Sequence, residues 1–129
     1  MKETKIPDGY QRVMPYLIVE DAAGLLQFMK NVFGATEKYK VMRDEDENVI
    51  MHAEVKIGDS TIMFAEATEQ WKASPAGMFI YVENADETYQ KALKAGATSL
   101  GKPSDQSYGR SGGVTDPFGN VWWITSVLE

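Results

Sequence analysis

His52 and Glu54 are the residues whose types and spacing most directly suggest chemistry. His52 is the only histidine among the 129 residues, and it lies two positions before Glu54 in a stretch where polar and apolar residues alternate. Side chains two positions apart on a strand point to the same face of a sheet. The pair could act as a general base with its orienting partner, as two ligands of a metal ion, or as a hydrogen-bonded structural pair.

A second motif, Gly109-Arg110-Ser111-Gly112-Gly113, matches the G-x-S-x-G pattern of a nucleophile elbow. That elbow requires a strand that turns into a helix and a histidine later in the chain, whereas here the histidine precedes the serine and a strand is predicted after it. We therefore interpret the motif as a segment whose backbone passes close to a neighbour or a ligand. Arg110 either presents its guanidinium to an anionic ligand or forms an ordinary salt bridge.

Asp44-Glu45-Asp46-Glu47 groups four carboxylates but lacks the ligand spacing of a calcium-binding loop. The run predicts a solvated acidic loop between two strands.

The elements that must position these residues occur twice. Residues 16–22 (YLIVEDA) are echoed by residues 79–85 (FIYVENA), residues 33–36 (FGAT) by residues 95–98 (AGAT), and residues 58–59 by residues 119–120. Each copy begins with a β-branched and aromatic run, Val13 to Val19 or Met78 to Val82, that is typical of a buried strand. A repeat of this kind predicts two similar structural units.

A helix follows each of these strands. Asp21 and Asn84 are favourable N-cap residues, and Gly34 and Gly96 stand where each helix should end. Period-two alternation and turn signals then predict further strands. Their expected positions are residues 50–57, 61–65, 98–101, 112–115 and 121–127. The sequence thus predicts an α+β fold of two tandem βαβββ units, at about residues 10–66 and 76–128, with a linker at about residues 67–75.

The tandem βαβββ pattern resembles the vicinal oxygen chelate superfamily of glyoxalase, bleomycin-resistance and extradiol-dioxygenase proteins. Residues 15–22 with 33–35, residues 51–60 and residues 108–123 are similar to the PhnB-like branch of that superfamily. The resemblance implies that each unit curls into half of a barrel-like cup. It also implies a homodimer that completes two cavities and a single domain of this type over residues 1–129.

In metal-using relatives, the first and last strands of each unit supply four His, Gln or Glu ligands. The resemblance places Met14, Met63, Gly77 and Trp123 at these positions. A thioether is too soft for the harder ions that such relatives use, and glycine and tryptophan offer no ligand. We therefore predict no cofactor and no metal at the usual positions, while a divalent metal elsewhere stays open.

The resemblance also places Tyr16, Phe79, Tyr81 and Trp123 on the ligand-bearing face. We expect the cavity to be lined by Tyr16, Phe79, Tyr81, Tyr108, Arg110 and Trp123. Aromatic walls with a few polar groups suit a planar or apolar small molecule, although these side chains could instead fill the cup as core. We expect a small-molecule-binding protein, with a lyase, isomerase or dioxygenase based on His52 and Glu54 or on a relocated metal as the alternative.

Composition narrows the class of partner. The formal net charge is −6, so the field of the protein repels nucleic acid and anionic membranes. The chain has no cysteine, no apolar run long enough to span a bilayer and no signal-peptide pattern at its start. We therefore expect a cytoplasmic protein whose partners are a small molecule and a second copy of itself.

Overall fold

The computed structural model describes residues 3–128, which form two successive β-α-β-β-β units. The first unit contains β1 (Tyr16–Val19), α1 (Ala22–Phe33), β2 (Thr36–Met42), β3 (Ile50–Ile57) and β4 (Ser60–Glu66). The second contains β5 (Gly77–Tyr81), α2 (Ala85–Lys94), β6 (Thr98–Gln106), β7 (Gly109–Thr115) and β8 (Val121–Ser126). The predicted α+β fold of two tandem units is confirmed.

Each unit forms its own four-stranded sheet, with strand orders β1-β4-β3-β2 and β5-β8-β7-β6. The first and last strands of each unit pair in parallel, and the other neighbours pair antiparallel. The helix after β1 or β5 provides the long connection that a parallel pairing needs. The sequence repeat therefore corresponds to a repeat of topology.

Each helix packs against one face of the sheet of its own unit, and these two covered faces form the core. Helix α1 buries Ala22, Leu25, Leu26, Phe28, Met29 and Val32, and α2 buries Ala85, Tyr89 and Ala92. The two units meet on these covered faces, where the rings of Phe33 and Trp122 lie 4.5 Å apart. No helix within residues 3–128 is long and apolar enough to cross a membrane.

The last strand of each unit also binds the N-terminus of that unit's helix. The Glu66 carboxylate at the end of β4 accepts hydrogen bonds from the backbone amides of Asp21 and Ala22. In the second unit, the Ser126 hydroxyl at the end of β8 accepts from the amide of Ala85. These bonds satisfy amides that have no partner inside the helix, and they hold helix and sheet in register.

Several strands have bounds that differ from those predicted from the sequence. Strand β1 begins at Tyr16 rather than Val13, β6 continues to Gln106, and β7 begins at Gly109. The lengths of β6 and β7 were underestimated, because these strands contain glycines and Pro103, which are unusual in strands. β6 is an edge strand, and an edge position tolerates a proline. Arg110 and Ser111 consequently lie within a strand, not in a loop.

The turn between β7 and β8 is organised around the buried carboxylate of Asp116. This carboxylate accepts hydrogen bonds from the backbone amides of Phe118 and Asn120, both at 2.9 Å. It also accepts from the side chains of Asn120, at 3.1 Å, and Trp122, at 2.8 Å. Because Trp122 packs against Phe33, Asp116 positions the indole that joins the two units.

We expect Asp116→Ala to lower the free energy of unfolding by about 3 kcal/mol, because it leaves several buried donors without an acceptor. Urea unfolding followed by circular dichroism measures this change. Asp44→Ala, which alters an exposed residue of the acidic loop, is the matched control and should change stability by less than about 0.5 kcal/mol. Equal effects of the two substitutions would contradict this role for Asp116.

Candidate functional site

The faces of the two sheets that the helices do not cover carry most of the residues predicted from the sequence. Across the first sheet, β-pairing places Tyr16 of β1 beside Met63 of β4, Met63 beside Glu54 of β3, and Glu54 beside Tyr39 of β2. His52 lies two residues from Glu54 on β3, as the alternation predicts. We call this surface the first open face.

A chain of hydrogen bonds runs across the first open face. The Tyr16 hydroxyl lies 2.9 Å from His52 Nδ1, and His52 Nε2 lies 2.8 Å from Glu54 Oε2. The Tyr10 hydroxyl donates to the other carboxylate oxygen, Glu54 Oε1, at 2.5 Å. Glu54 is only 6% exposed, whereas Tyr16 is 50% exposed, so the chain runs from a buried carboxylate to an accessible phenol.

Glu54 is held in its ionised form. Burial alone would raise the pKa of this carboxyl, but hydrogen bonds from Tyr10 and His52 outweigh burial and lower the pKa of Glu54 below its ordinary value. The same hydrogen bond to Glu54, aided by burial, raises the pKa of the Tyr10 hydroxyl. Tyr10 therefore stays a neutral donor beside an ionised carboxylate.

Tyr10 belongs to an N-terminal arm, residues 7–12, that crosses the first open face. The carbonyl oxygen of Gly9 accepts hydrogen bonds from Thr61 Oγ1 at 2.6 Å and from Lys38 Nζ at 2.7 Å. The Gln11 side chain bonds to both backbone groups of Thr61, and Lys38 Nζ lies 3.2 Å from the centroid of the Tyr10 ring. Sequence reasoning missed this arm, because it precedes the repeat and has no counterpart in the second unit.

Met14, Met63 and Glu54 line an open concavity of about 500 Å³ between the arm and the sheet. The resemblance assigns Met14 and Met63 to two of the metal-ligand positions of relatives, and neither side chain offers a hard donor. Gly77 begins β5 and Trp123 lies on β8. No three His, Cys, Asp or Glu side chains gather anywhere in residues 3–128. These residues do not fit the divalent ion of metal-using relatives.

The second open face, on the other sheet, carries an aromatic cluster. The Phe79 ring lies 5.2 Å from the Tyr81 ring and 6.0 Å from the Tyr108 ring, and Phe79 is the β-pairing partner of Trp123. These four side chains are between 44% and 62% exposed. Within this chain they form an accessible surface and do not fill a core.

Gly113 makes room for the Trp123 indole. A Cβ atom at Gly113 would lie 2.7 Å from Cε3 of Trp123, so a side chain there would force the ring to move. A Cβ atom at Gly112 would lie 2.8 Å from the backbone nitrogen of Pro103 in β6. The glycine-rich motif therefore lets the backbone pass close to neighbouring residues, which is one of the two interpretations of its sequence.

Arg110, which was predicted to line the cavity, does not lie on the open face. Arg110 shares the helix-facing side of β7 with the buried Val114, and its guanidinium forms a two-point salt bridge with Asp86 of α2. It also donates to Asp105 at 3.0 Å. The hydrogen bond from Arg110 lowers the pKa of Asp86. The salt-bridge alternative therefore describes Arg110.

The residues that were expected to line one cavity lie on two different sheets. Tyr16, His52 and Glu54 lie on the first sheet, whereas the Phe79 cluster lies on the second, and the two sheets share no β-pairing in residues 3–128. A larger concavity of about 860 Å³ lies between the units. Phe79 and Tyr81 border it, but His52, Glu54 and Trp123 do not. Each chain thus presents two separate open faces.

Comparison with known proteins agrees with the fold and with the repeat. The family model described as the Glyoxalase/Bleomycin resistance protein/Dioxygenase superfamily matches residues 9–124, and the chain belongs to this superfamily. Uncharacterized proteins of Mycobacterium bovis and Mycobacterium tuberculosis are each 32% identical over 120 residues. The match covers 84% of this chain, 78% of the M. bovis protein and 69% of the M. tuberculosis protein.

Solved structures show the same fold at lower sequence identity. The PhnB protein of Bacillus cereus is 18% identical, with a TM-score of 0.74 over 91% of this chain and 100% of that one. TioX of Micromonospora sp. ML1 is 21% identical, with a TM-score of 0.73 over 92% and 99%. The fosfomycin resistance protein FosX of Listeria monocytogenes is 18% identical, with a TM-score of 0.68 over 92% and 93%.

The lowered pKa of Glu54 predicts a pH-dependent contribution to stability. A carboxyl whose pKa is lower in the folded state stabilises the fold above its unfolded pKa, and this contribution disappears as the pH falls through the folded pKa. We expect Glu54→Gln to reduce the free energy of unfolding at pH 7 more than near pH 3. Urea unfolding at both pH values measures the difference, and Glu47→Gln in the exposed acidic loop should show no such dependence.

Gly113→Ala should displace the Trp123 indole and change its fluorescence. Gly101→Ala is a matched control, because Gly101 is the β-pairing partner of Gly113 and has no atom within 4 Å of an added Cβ. Fluorescence spectra in a Trp71→Phe background, which leaves Trp122 and Trp123, detect the change. Identical spectra for the two alanine variants would show that Trp123 does not depend on Gly113.

Proposed function

We propose that this chain binds a planar or apolar small organic molecule in a cavity formed by the first open face of one copy and the second open face of another. The binding does not use the metal site of metal-using relatives. The observation that carries this proposal is the pair of open faces, one lined by Tyr16, Met63 and Glu54 and the other by the Phe79 cluster, which one chain leaves apart.

The chemistry of the two faces supports a ligand of this kind. The second open face offers aromatic rings, which stack on planar groups and contribute large apolar contact areas. The first open face adds methionine side chains, which adapt to irregular apolar shapes, and the accessible Tyr16 hydroxyl. A site with apolar walls and few polar groups is typical of small-molecule binding.

A second copy is supported by the edge strand β5. Within residues 3–128, this strand, Gly77–Tyr81, pairs only with β8, and its residues are exposed or half-buried on both faces. An apolar edge of this kind readily pairs with or packs against another chain. Covering it and the exposed aromatic rings with a second copy would remove a large apolar surface from water.

The relatives offer a limited analogy. The superfamily description includes bleomycin resistance, and one similar structure is a fosfomycin resistance protein. A protein that binds a small organic compound is consistent with both descriptions, and the site itself supports the metal-free form.

The test uses anilinonaphthalene sulfonate, an aromatic probe that fluoresces in apolar surroundings, with two variants that each damage one face. Trp123→Ala removes an aromatic wall from the second face, and Met63→Glu places a negative charge on the first, which repels the anionic probe. We expect each variant alone to bind the probe about tenfold more weakly. Trp71→Ala alters the exposed linker and should bind the probe as the wild type does.

Mixing the two variants distinguishes a shared cavity from a cavity within one chain. If each cavity combines two copies, a mixed dimer contains one cavity with both faces intact, and random mixing restores about a quarter of the wild-type sites. Probe titration after unfolding and refolding the variants together measures this fraction. No recovery, or a monomer by light scattering, would contradict the shared cavity.

A further inference from the structure

We propose that Tyr16, His52 and Glu54 form a proton relay in which the Tyr16 hydroxyl is the catalytic acid–base group of the first open face. The proposal rests on the proposed function in one respect, since the ligand must reach this face. It adds a reaction to binding, and it treats Tyr16 as a reactive group rather than as a wall of the cavity.

The direction of the hydrogen bonds follows from the chemistry of the carboxylate. An ionised carboxylate can only accept, so His52 Nε2 must carry the proton that it shares with Glu54 Oε2 at 2.8 Å. In a neutral imidazole, Nδ1 is then an acceptor. When His52 is neutral, Tyr16 therefore donates a hydrogen bond to Nδ1 across the 2.9 Å distance. The Tyr10 hydroxyl occupies the other carboxylate oxygen and keeps Glu54 turned toward His52.

Exposure identifies which member of the relay meets a ligand. The side chain of Glu54 is 8% exposed and that of His52 is 23% exposed. Tyr16 is half-exposed and borders Met63. A molecule lying on the first open face can touch the Tyr16 oxygen, while His52 moves the proton and Glu54 acts as a positioning residue.

The reaction that this arrangement performs is a proton transfer without any other reactant. A substrate proton passes to the Tyr16 oxygen as the Tyr16 proton passes to His52 Nδ1, and the Glu54 carboxylate stabilises the resulting imidazolium. The electron pair left on the substrate moves onto its own carbonyl oxygen. Returning the proton to a different substrate atom reverses the relay and yields an isomer, so atoms and electrons balance.

The site favours one substrate class, a planar carbonyl compound with an acidic C–H or phenolic O–H group. A flat molecule fits between the first face, where Tyr39 is also exposed, and the aromatic cluster of a second copy. A carbonyl group is needed to hold the negative charge while the proton is on the relay. The nearby Lys38 ammonium lies over Tyr10 and bonds to the arm, so the relay does not use it.

Acetylation by N-acetylimidazole tests the relay without knowledge of the natural substrate. The acetyl group bonds to the Tyr16 oxygen as its bond to the imidazole nitrogen breaks, the phenolic proton passes to His52 Nδ1, and the departing imidazole takes up a proton from the solvent. Tyr39 and Tyr108 are internal references, because at 53% and 56% they are as exposed as Tyr16 at 50%. Peptide mass spectrometry of the native protein should show Tyr16 acetylated at least about tenfold faster than either reference.

Variants show whether fast acetylation of Tyr16 is due to His52 and Glu54 or only to the exposure of the Tyr16 hydroxyl. His52→Gln should bring the rate at Tyr16 down to that of Tyr39, and Glu54→Gln should lower it partway, whereas Glu47→Gln should not change it. Circular dichroism checks the fold of each variant. Equal rates at Tyr16 and Tyr39 in the wild type would overturn the proposal without any variant, and so would a Tyr16 advantage that survives His52→Gln.

Nitrogen NMR of the single histidine is a second test, because it shows which ring nitrogen of His52 carries the proton. When the His52 imidazole is neutral, the spectrum should show a proton on Nε2 and none on Nδ1, and a neutral imidazole with its proton on Nδ1 would overturn the relay. Neither readout depends on anilinonaphthalene sulfonate. If the mixed variants do not recover probe binding but Tyr16 is acetylated fast, the shared cavity alone is rejected. If the mixed variants recover probe binding but Tyr16 is acetylated no faster than the references, the relay alone is rejected.

Discussion

The structure depends on one geometric constraint, which is that each four-stranded sheet has two faces while each unit supplies one helix. Helices α1 and α2 cover one face of each sheet and join the two units through Phe33 and Trp122. The opposite faces receive no cover from residues 3–128, except where the N-terminal arm crosses the first sheet. Apolar and polar side chains on these faces are therefore available for a ligand or a second copy.

Charged side chains are stabilised in different ways on the two faces of the sheets. On the helix side, Arg110 and Asp86 tie β7 to α2 in a partly exposed salt bridge. On the first open face, Glu54 is buried as an anion, which is costly unless hydrogen bonds satisfy both carboxylate oxygens. Tyr10 and His52 supply those bonds. The arm is thus part of the site, because without Tyr10 one oxygen of a buried charge would lack a partner.

Part of the candidate site could be predicted from the sequence. Strand alternation places His52 and Glu54 on one face, since that relation holds within a single strand. The contact between Tyr16 and His52 joins residues 36 positions apart, and that between Tyr10 and Glu54 joins residues 44 positions apart. Such contacts depend on strand order and register, which local patterns do not contain. The direction of the Arg110 side chain could not be predicted, because glycines concealed the strand that turns it toward α2.

By itself, the sequence determined the repeat, the order of strands and helices, and the superfamily, because these follow from local patterns and residue types. Only the tertiary structure decided that Tyr16 contacts His52, that the arm covers Glu54 and that the two open faces belong to separate sheets. The physical reason is that hydrophobic burial selects how the sheets and helices pack. This packing brings together residues that are distant in the chain.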